Sequence, residues 1–181
     1  MKKFKTLVYF TTVACLSLLI LSCNRQKSPK MVTENFKADF IGEYKYVGSD
    51  TLPNQKCTGQ LALWRAIVDG KGTCTPLGDI TVHFDFCGDS LSNYGNAYSY
   101  MVSADSDTLL IDVSGRVMEG RLDDHPEYVT SYWRDSIRII GGTGKFLGAT
   151  GEGITDDYNS SEDTNSHHNW KGTITFNKVL K

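Results

Sequence analysis

The stretch Gly141-Gly142-Thr143-Gly144-Lys145-Phe146-Leu147-Gly148-Ala149-Thr150-Gly151 is the most distinctive part of the chain and the best guide to its fold. Glycine adopts positive φ angles without steric cost, so the Gly141-Gly142 pair predicts the end of a strand and a sharp turn. Residues 145–147 would then form a short helical turn whose Phe146 plugs one end of the domain. The spacing is not that of a Walker motif, which disfavours a phosphate-binding loop.

Alternating apolar and polar residues on both sides of this segment predict β-strands. Eight strands are expected, at residues 40–48, 61–68, 80–86, 91–101, 109–117, 128–140, 151–158 and 170–179. The 17 glycines, nine tyrosines and eight phenylalanines also favour an all-β domain. We predict an eight-stranded antiparallel up-and-down barrel, because closure removes exposed sheet edges. A two-sheet β-sandwich is the alternative.

The glycine-rich segment resembles one found in the allene oxide cyclase and dirigent barrel superfamily. Two shorter stretches resemble that superfamily in the expected order, Gly72-Thr73-Cys74-Thr75-Pro76-Leu77-Gly78 and Cys87-Gly88-Asp89-Ser90-Leu91. The resemblance spans roughly residues 59 to 177 and implies an eight-stranded antiparallel barrel. It also implies an isomerase or cyclase as one candidate activity. None of the superfamily's catalytic residues can be matched to this chain, so no catalytic residue is predicted.

The N-terminal residues predict export and lipid attachment. Three lysines (Lys2, Lys3 and Lys5) precede an apolar run from Leu7 to Leu21, and Ile20-Leu21-Ser22-Cys23 resembles the lipobox of bacterial lipoproteins. The predicted organisation is a lipoprotein signal peptide at 1–22, a lipidated N-terminus and flexible tether at 23–38, and a β-barrel domain at 39–181.

Acylation of Cys23, with palmitate among the chains, would anchor the protein to a lipid bilayer without a transmembrane helix. By resemblance to lipoproteins, an aspartate after the cysteine would retain the protein in the inner membrane, and Asn24 stands there instead. We therefore expect attachment to the outer membrane, facing the periplasm, with the cell surface as the alternative.

The charge of the exported chain excludes one class of partner. Three of the 19 basic residues lie in the predicted signal, which leaves 16 against 21 acidic residues and a net charge of −5. A mildly acidic domain has no broad basic face for nucleic-acid phosphates, so no nucleic acid is expected. The sequence does not indicate an oligomeric state.

Three further cysteines, Cys57, Cys74 and Cys87, would lie in an oxidising compartment, which allows one disulfide and one free thiol. If residues 69–72 form a hairpin turn, Cys57 lies opposite residue 84 and is closer to Cys87 than to Cys74. The predicted disulfide is therefore Cys57–Cys87.

Other polar residues could form a site but have simpler interpretations. A metal site could be built from His167 and His168 with the carboxylates nearby in the sequence, but the surrounding Asn, Ser and Thr residues favour a solvated loop. Arg65, Glu43 and Arg134 could be polar groups in a ligand cavity or could face solvent, and both interpretations stay open. No Ser-His-Asp order is readable. No metal or other cofactor is predicted.

The leading functional hypothesis is a membrane-anchored, non-catalytic barrel that binds a small apolar ligand or an envelope partner. An isomerase or cyclase acting in the lumen is the second hypothesis, and a purely structural module with a filled lumen is the third. A deep cavity with converging polar side chains would favour the first two, whereas a packed lumen would favour the third.

Overall fold

The computed structural model describes residues 30–178, which form one antiparallel sheet of eleven strands and two single turns of 3₁₀ helix. The strands are β1 (Lys30–Gly48), β2 (Trp64–Thr75), β3 (Gly78–Gly88), β4 (Asn93–Ser103), β5 (Thr108–Val113), β6 (Gly115–Arg116), β7 (Met118–Glu119), β8 (Val129–Trp133), β9 (Ser136–Gly142), β10 (Thr150–Ser160) and β11 (Ser166–Lys178). The 3₁₀ turns are Gly59–Leu61 and Gly144–Phe146. Across residues 30–178 no helix has the length and apolar character that crossing a membrane would require.

Eight of these strands close into a barrel in the order β1, β2, β3, β4, β5, β9, β10, β11 and back to β1. The closing strand β11 pairs with both β1 and β10, so that Trp170 lies between Ala38 on one side and Thr155 on the other. The predicted eight-stranded antiparallel up-and-down barrel is confirmed. The sandwich alternative is excluded because every strand in the ring pairs with both of its neighbours.

Short strands extend the wall at one end of the barrel. The predicted sixth strand is interrupted at Arg134-Asp135, so β8 and β9 pair with different parts of β10. The predicted fifth strand likewise ends at Val113, and β6 pairs with β4 beyond it. This end carries the candidate site described below, and we call it the open end.

The opposite end, which we call the closed end, is plugged by Phe146 as the sequence predicted. Phe146 is fully buried, and its ring centroid lies 5.2 Å from that of Phe176. Gly144 starts the 3₁₀ turn at a φ of 57°, and a Cβ there would lie 1.7 Å from Oδ1 of Asp107. Only glycine fits this backbone and this space, and the turn therefore delivers Phe146 to the lumen.

Inward-facing side chains fill the lumen between the closed end and its middle. They are fully or almost fully buried and include Phe36, Ile80, Met101, Leu109, Ile111, Ile139, Ile174 and Phe176. Burial of each such side chain contributes about 1.5–3 kcal/mol relative to leaving it in water. This half of the lumen is therefore a packed core that supports the open end.

Two boundaries predicted from the sequence were wrong. Residues 30–38 were assigned to the tether, but they are the first part of β1 and pair with β11. Residues 69–72 were interpreted as a hairpin turn, but they lie inside β2, which continues to Thr75. Gly72 allows β1 to pass close by, since a Cβ there would lie 2.1 Å from the carbonyl oxygen of Asp39. The chain turns instead at Pro76, which has no N–H for the ladder.

Candidate functional site

The open end of the barrel holds a small cavity of about 50 Å³ that opens to solvent. A cavity needs roughly 10–15 Å³ on this scale to hold one water, so this one has room for a few waters or for one end of a small organic molecule. Its walls are mainly aromatic and aliphatic, and they are formed by Tyr44, Val68, Phe84, Phe86, Tyr94, Val113, Val117, Trp133, Ser166, His168 and Trp170. The lumen is thus packed at the closed end and leaves space at the open end.

Three buried side chains at this cavity form a hydrogen-bonded chain. Nδ1 of His168 lies 2.9 Å from Oδ2 of Asp157, and Nε2 of the same ring lies 2.8 Å from Oγ of Ser166. Asp157 and Ser166 are each 1% exposed and His168 is 8% exposed. The structure therefore assembles a serine, a histidine and an aspartate that the sequence order did not reveal.

The partners of Asp157 determine which nitrogen of His168 carries the proton. Nε1 of Trp170 donates to both carboxyl oxygens, at 3.0 and 2.9 Å, and the backbone N–H of Asn169 donates to Oδ1 at 3.2 Å. A carboxyl surrounded by donors accepts from His168 as well, which assigns the imidazole proton to Nδ1. Nε2 is then an acceptor, and the Ser166 hydroxyl is positioned to donate to it.

Aromatic rings hold the imidazole in place. The ring of Phe40 stacks on His168 with centroids 4.4 Å apart and planes 9° apart. Trp133 approaches edge-on at 5.8 Å, and Phe84 lies at the same centroid distance. Because three aromatic residues pack against the ring, His168 has little freedom to rotate away from Asp157.

Gly42 leaves the space that the side chains of Ser166 and His168 occupy. A Cβ at position 42 would lie 2.6 Å from Oγ of Ser166 and 3.1 Å from Nε2 of His168. The carbonyl oxygen of Gly42 also lies 3.2 Å from Oγ of Ser166, as a second acceptor for that hydroxyl. Any residue other than glycine would have to displace the serine or the imidazole.

Two tyrosines add hydroxyl groups at the open end. The Tyr44 hydroxyl donates to Oδ1 of Asn159 at 3.1 Å. Burial raises the pKa of Tyr44, although hydrogen bonding with Asn159 and Ser166 opposes the shift. The Tyr94 hydroxyl donates to Oδ2 of Asp135 at 2.8 Å. Burial raises the pKa of Asp135 as well, although its hydrogen bond from Tyr94 opposes the shift. Burial raises the pKa of Tyr94 too, so both tyrosine hydroxyls keep their protons at neutral pH.

Arg65 is one of the three polar residues whose location the sequence left open, and it lies outside the lumen. It is 1% exposed and binds Asp85 with two hydrogen bonds of 2.7 Å. Its Nη1 also donates to Oδ1 of Asp50 at 3.0 Å, from the loop between β1 and β2. This buried ion cluster attaches that loop to the outer face of β2 and β3.

The same loop is held by a disulfide between Cys57 and Cys87, whose Cα atoms lie 5.4 Å apart. The hairpin register from which this pairing was predicted was wrong, because β2 continues past residues 69–72. Cys74 is a free, buried thiol, and burial raises its pKa to about 12. A thiol with such a pKa is protonated at neutral pH and is a poor nucleophile.

The histidine pair is placed differently from the prediction. His167 and His168 were assigned to a solvated loop, but both lie in β11 and point to opposite sides of it. His167 faces outward, stacks on Tyr158 at 4.7 Å and contacts Asp163 at 3.0 Å. Within residues 30–178 no group of three potential metal-ligating side chains comes together.

The remaining predicted residues lie away from the cavity or outside the described range. Glu43 is exposed, and its carboxylate lies 2.5 Å from Nζ of Lys45, two residues further along β1. Arg134 donates to Asp124 and Asp156 at the surface, at 2.8 and 2.6 Å. The predicted lipid-attachment residue, Cys23, lies outside the described residues.

Strand alternation was the signal that could have identified the site. Ser166 and His168 continue the inward-facing series of Trp170, Ile174 and Phe176 along β11. The polar composition around them predicted a loop instead, since strands are depleted in Asn, Asp and Ser. Asp157 could be found only by pairing β10 with β11.

The fold and the site together define a class of protein: a small antiparallel barrel that is packed at one end and has an aromatic-lined cavity with a few polar groups at the other. No known protein family and no curated protein matches the sequence. Two solved structures are similar to it. The pterocarpan synthase dirigent protein PsPTS1 has a TM-score of 0.47 and 13% sequence identity, over 83% of this chain and 97% of that chain. The pterocarpan synthase dirigent protein GePTS1 has a TM-score of 0.46 and 13% identity, over 87% of this chain and 90% of that chain.

Proposed function

We propose that this protein is a lipoprotein of the bacterial cell envelope whose barrel binds a small, largely apolar ligand at its open end. The cavity is the observation that carries the proposal, because it combines aromatic walls with a few converging polar groups, as ligand sites commonly do. A lumen filled from end to end would have favoured the purely structural module. The isomerase or cyclase hypothesis rests on the sequence resemblance alone, since none of that superfamily's catalytic residues can be matched to this chain.

The polar groups indicate the chemistry of the ligand. Among the residues that line the cavity there is no lysine or arginine, so a neutral ligand is favoured over an anion. Ser166 and His168 lie beside Trp133 and Trp170, which suits a small aromatic compound with one hydroxyl group. Because the cavity is small, a larger ligand would insert one end and leave the rest at the mouth.

The binding test uses 4-methylphenol as a probe, with toluene as a probe of similar size that lacks the hydroxyl. The chain has three tryptophans, of which Trp133 and Trp170 line the cavity and Trp64 does not. We expect 4-methylphenol to shift the indole N–H resonances of Trp133 and Trp170 in ¹⁵N-labelled protein, with a smaller effect on Trp64. Toluene should bind more weakly, because it cannot hydrogen-bond to the polar groups.

A pair of variants locates that binding. Val117→Trp fills the cavity and should abolish the shifts, whereas Val47→Trp changes an exposed valine of β1 and should leave them intact. Equal shifts of all three tryptophans, or binding that survives Val117→Trp in a folded protein, would contradict a site at the open end.

The anchor is supported by the basic, apolar and Ile20-Leu21-Ser22-Cys23 segments of the N-terminus. Its test is expression in a bacterial host fed radiolabelled palmitate, followed by fractionation of the membranes. Cys23→Ser should lose the label, and Cys15→Ser should keep it as the matched control. A Cys23→Ser protein that still carries palmitate would contradict the lipoprotein assignment. Recovery in the inner membrane would contradict attachment to the outer membrane.

A further inference from the structure

The hydrogen-bonded chain at the cavity has the connectivity of a nucleophile, a base and an orienting carboxylate. Oγ of Ser166 lies 2.8 Å from Nε2 of His168, and Nδ1 of that ring lies 2.9 Å from Asp157. Such a set is recognised by its geometry and not by the order of its members along the chain. A role in packing alone requires only that these polar groups be satisfied, and does not require the serine and imidazole to face a cavity.

The surroundings favour proton transfer from Ser166 to His168. Asp157 holds the imidazole with its proton on Nδ1, as its other donors Trp170 and Asn169 indicate. Nε2 is therefore free to accept, and the stacked Phe40 ring keeps it directed at Ser166. Both Ser166 and His168 line the cavity, so a bound group can reach the serine oxygen.

The Tyr44 hydroxyl supplies a donor for the charge that would develop during attack on Ser166. It lines the cavity together with Ser166 and donates to Oδ1 of Asn159 at 3.1 Å, so it would turn from Asn159 to reach a bound group. A phenol is one of the side-chain donors that can stabilise an oxyanion. Because burial raises the pKa of Tyr44, the phenol remains a donor at neutral pH.

We propose that Ser166 is an acyl-accepting nucleophile, with His168 as its base and Asp157 as the residue that positions His168. The substrate class is a small, neutral aryl ester with a short acyl group, because the walls are aromatic and the volume is small. The proposal uses the same cavity as the proposed binding function but goes beyond it by adding a reaction.

The reaction balances with water as the second reactant. Ser166 Oγ forms a bond to the ester carbonyl carbon and gives its proton to Nε2 of His168. The bond to the aryl oxygen then breaks, and His168 returns the proton to that oxygen, so a phenol leaves. Water next gives a proton to His168 and bonds to the acyl carbon. The bond to Oγ breaks, Oγ regains the proton, and a carboxylic acid is released.

The test is covalent labelling of the full-length protein in detergent with a small dialkyl fluorophosphate. In this reaction Oγ bonds to phosphorus and fluoride leaves, so each labelled chain gains one dialkyl phosphoryl group. We expect peptide mapping by mass spectrometry to place the label on Ser166. We expect the hydrolysis of phenyl acetate, measured as release of phenol, to require the same side chains as the labelling.

Four variants separate catalysis from folding. Ser166→Ala should abolish labelling, and His168→Gln should slow it by at least about 100-fold, the usual scale of general-base catalysis. Asp157→Asn should slow it comparably, while 4-methylphenol still binds. Ser99→Ala removes another buried lumen serine, whose hydroxyl has no partner within residues 30–178, and should label like the parent protein.

Two results would overturn the proposal. One is a folded parent protein that binds 4-methylphenol but leaves Ser166 unlabelled between pH 6 and 9. The other is a label that persists at full rate in His168→Gln. Failure of 4-methylphenol to bind while Ser166 is labelled would count against the binding function alone.

Discussion

Asp157 and His168 face each other directly across the β10–β11 pair, with Oδ2 of the carboxyl 2.9 Å from Nδ1 of the imidazole. This cross-strand pair connects the indole of Trp170 on one side to the hydroxyl of Ser166 on the other. The polar network at the open end therefore depends on the register of the two strands that close the barrel.

Asp157→Ala should be strongly destabilising. The change leaves the donors of Trp170, Asn169 and His168 without their acceptor, and each buried unsatisfied group costs about 1–3 kcal/mol. We expect the free energy of unfolding in urea to fall by about 3 kcal/mol or more. Glu43→Ala removes an exposed carboxylate of β1 and should change it by less than about 1 kcal/mol. Equal effects of the two changes would contradict a central role for Asp157.

Gly42→Ala should disturb the site through simple overlap. The new methyl group would lie 2.6 Å from Oγ of Ser166 and 2.7 Å from Cγ1 of Val68, and overpacking of this kind costs about 1–3 kcal/mol. Gly48→Ala is the control on the same strand, because its nearest neighbour is the end of the Tyr46 side chain, 3.2 Å away. Urea denaturation and the Trp170 indole resonance measure the two effects. An unchanged resonance in Gly42→Ala would show that the space at residue 42 is not required.

The stability of the outer ion cluster should depend on pH. Burial raises the pKa of Asp85, but the hydrogen bonds from Arg65 and the charges of Lys56, Arg65 and His83 outweigh it, so the pKa is lowered overall. A carboxyl whose pKa is lower in the folded than in the unfolded state stabilises the fold above its unfolded pKa, about 3.9. That contribution is lost as the pH falls through the folded pKa.

We therefore expect Asp85→Asn to lower the free energy of unfolding by about 3 kcal/mol at pH 7, because it breaks a buried pair. The difference from the parent protein should shrink as the pH falls below about 4. Asp112→Asn removes the exposed partner of Arg138 and should have an effect under about 1 kcal/mol at either pH. If the difference in unfolding free energy between Asp85→Asn and the parent protein stayed constant from pH 7 to pH 3, the lowered pKa of Asp85 would be contradicted.

The three cysteines of the barrel should differ sharply in reactivity. Cys74 is buried and its pKa is raised to about 12, so iodoacetamide at pH 8 should leave it unmodified until the protein is unfolded. Cys57 and Cys87 form a disulfide, so they should not react with iodoacetamide in either the folded or the unfolded protein. Without reduction they should appear as one linked peptide. Cys57→Ser should lower the free energy of unfolding by about 2–4 kcal/mol, the usual effect of losing a disulfide. Rapid alkylation of Cys74 in the native protein would contradict its burial.

Much of the barrel could be predicted because its signals are local. Alternation along β3 placed Ile80, Val82 and Phe84 on one face, and all three are buried. The glycine-rich segment indicated the turn that directs Phe146 into the closed end. The glycines at 70 and 72 misled the prediction, since the same residue that permits a turn also permits a neighbouring strand to come close.

The residue pattern by itself was enough to establish an all-β chain, the number of barrel strands and the plug at Gly144–Phe146, because each depends on short-range periodicity and backbone sterics. The site required the tertiary structure. Asp157 meets His168, and Gly42 meets Ser166, only when β11 pairs with β10 on one side and β1 on the other. A one-residue change of register would turn these side chains to the outer face, because side chains alternate along a strand. Polarity alone could not show which side of the wall they occupy.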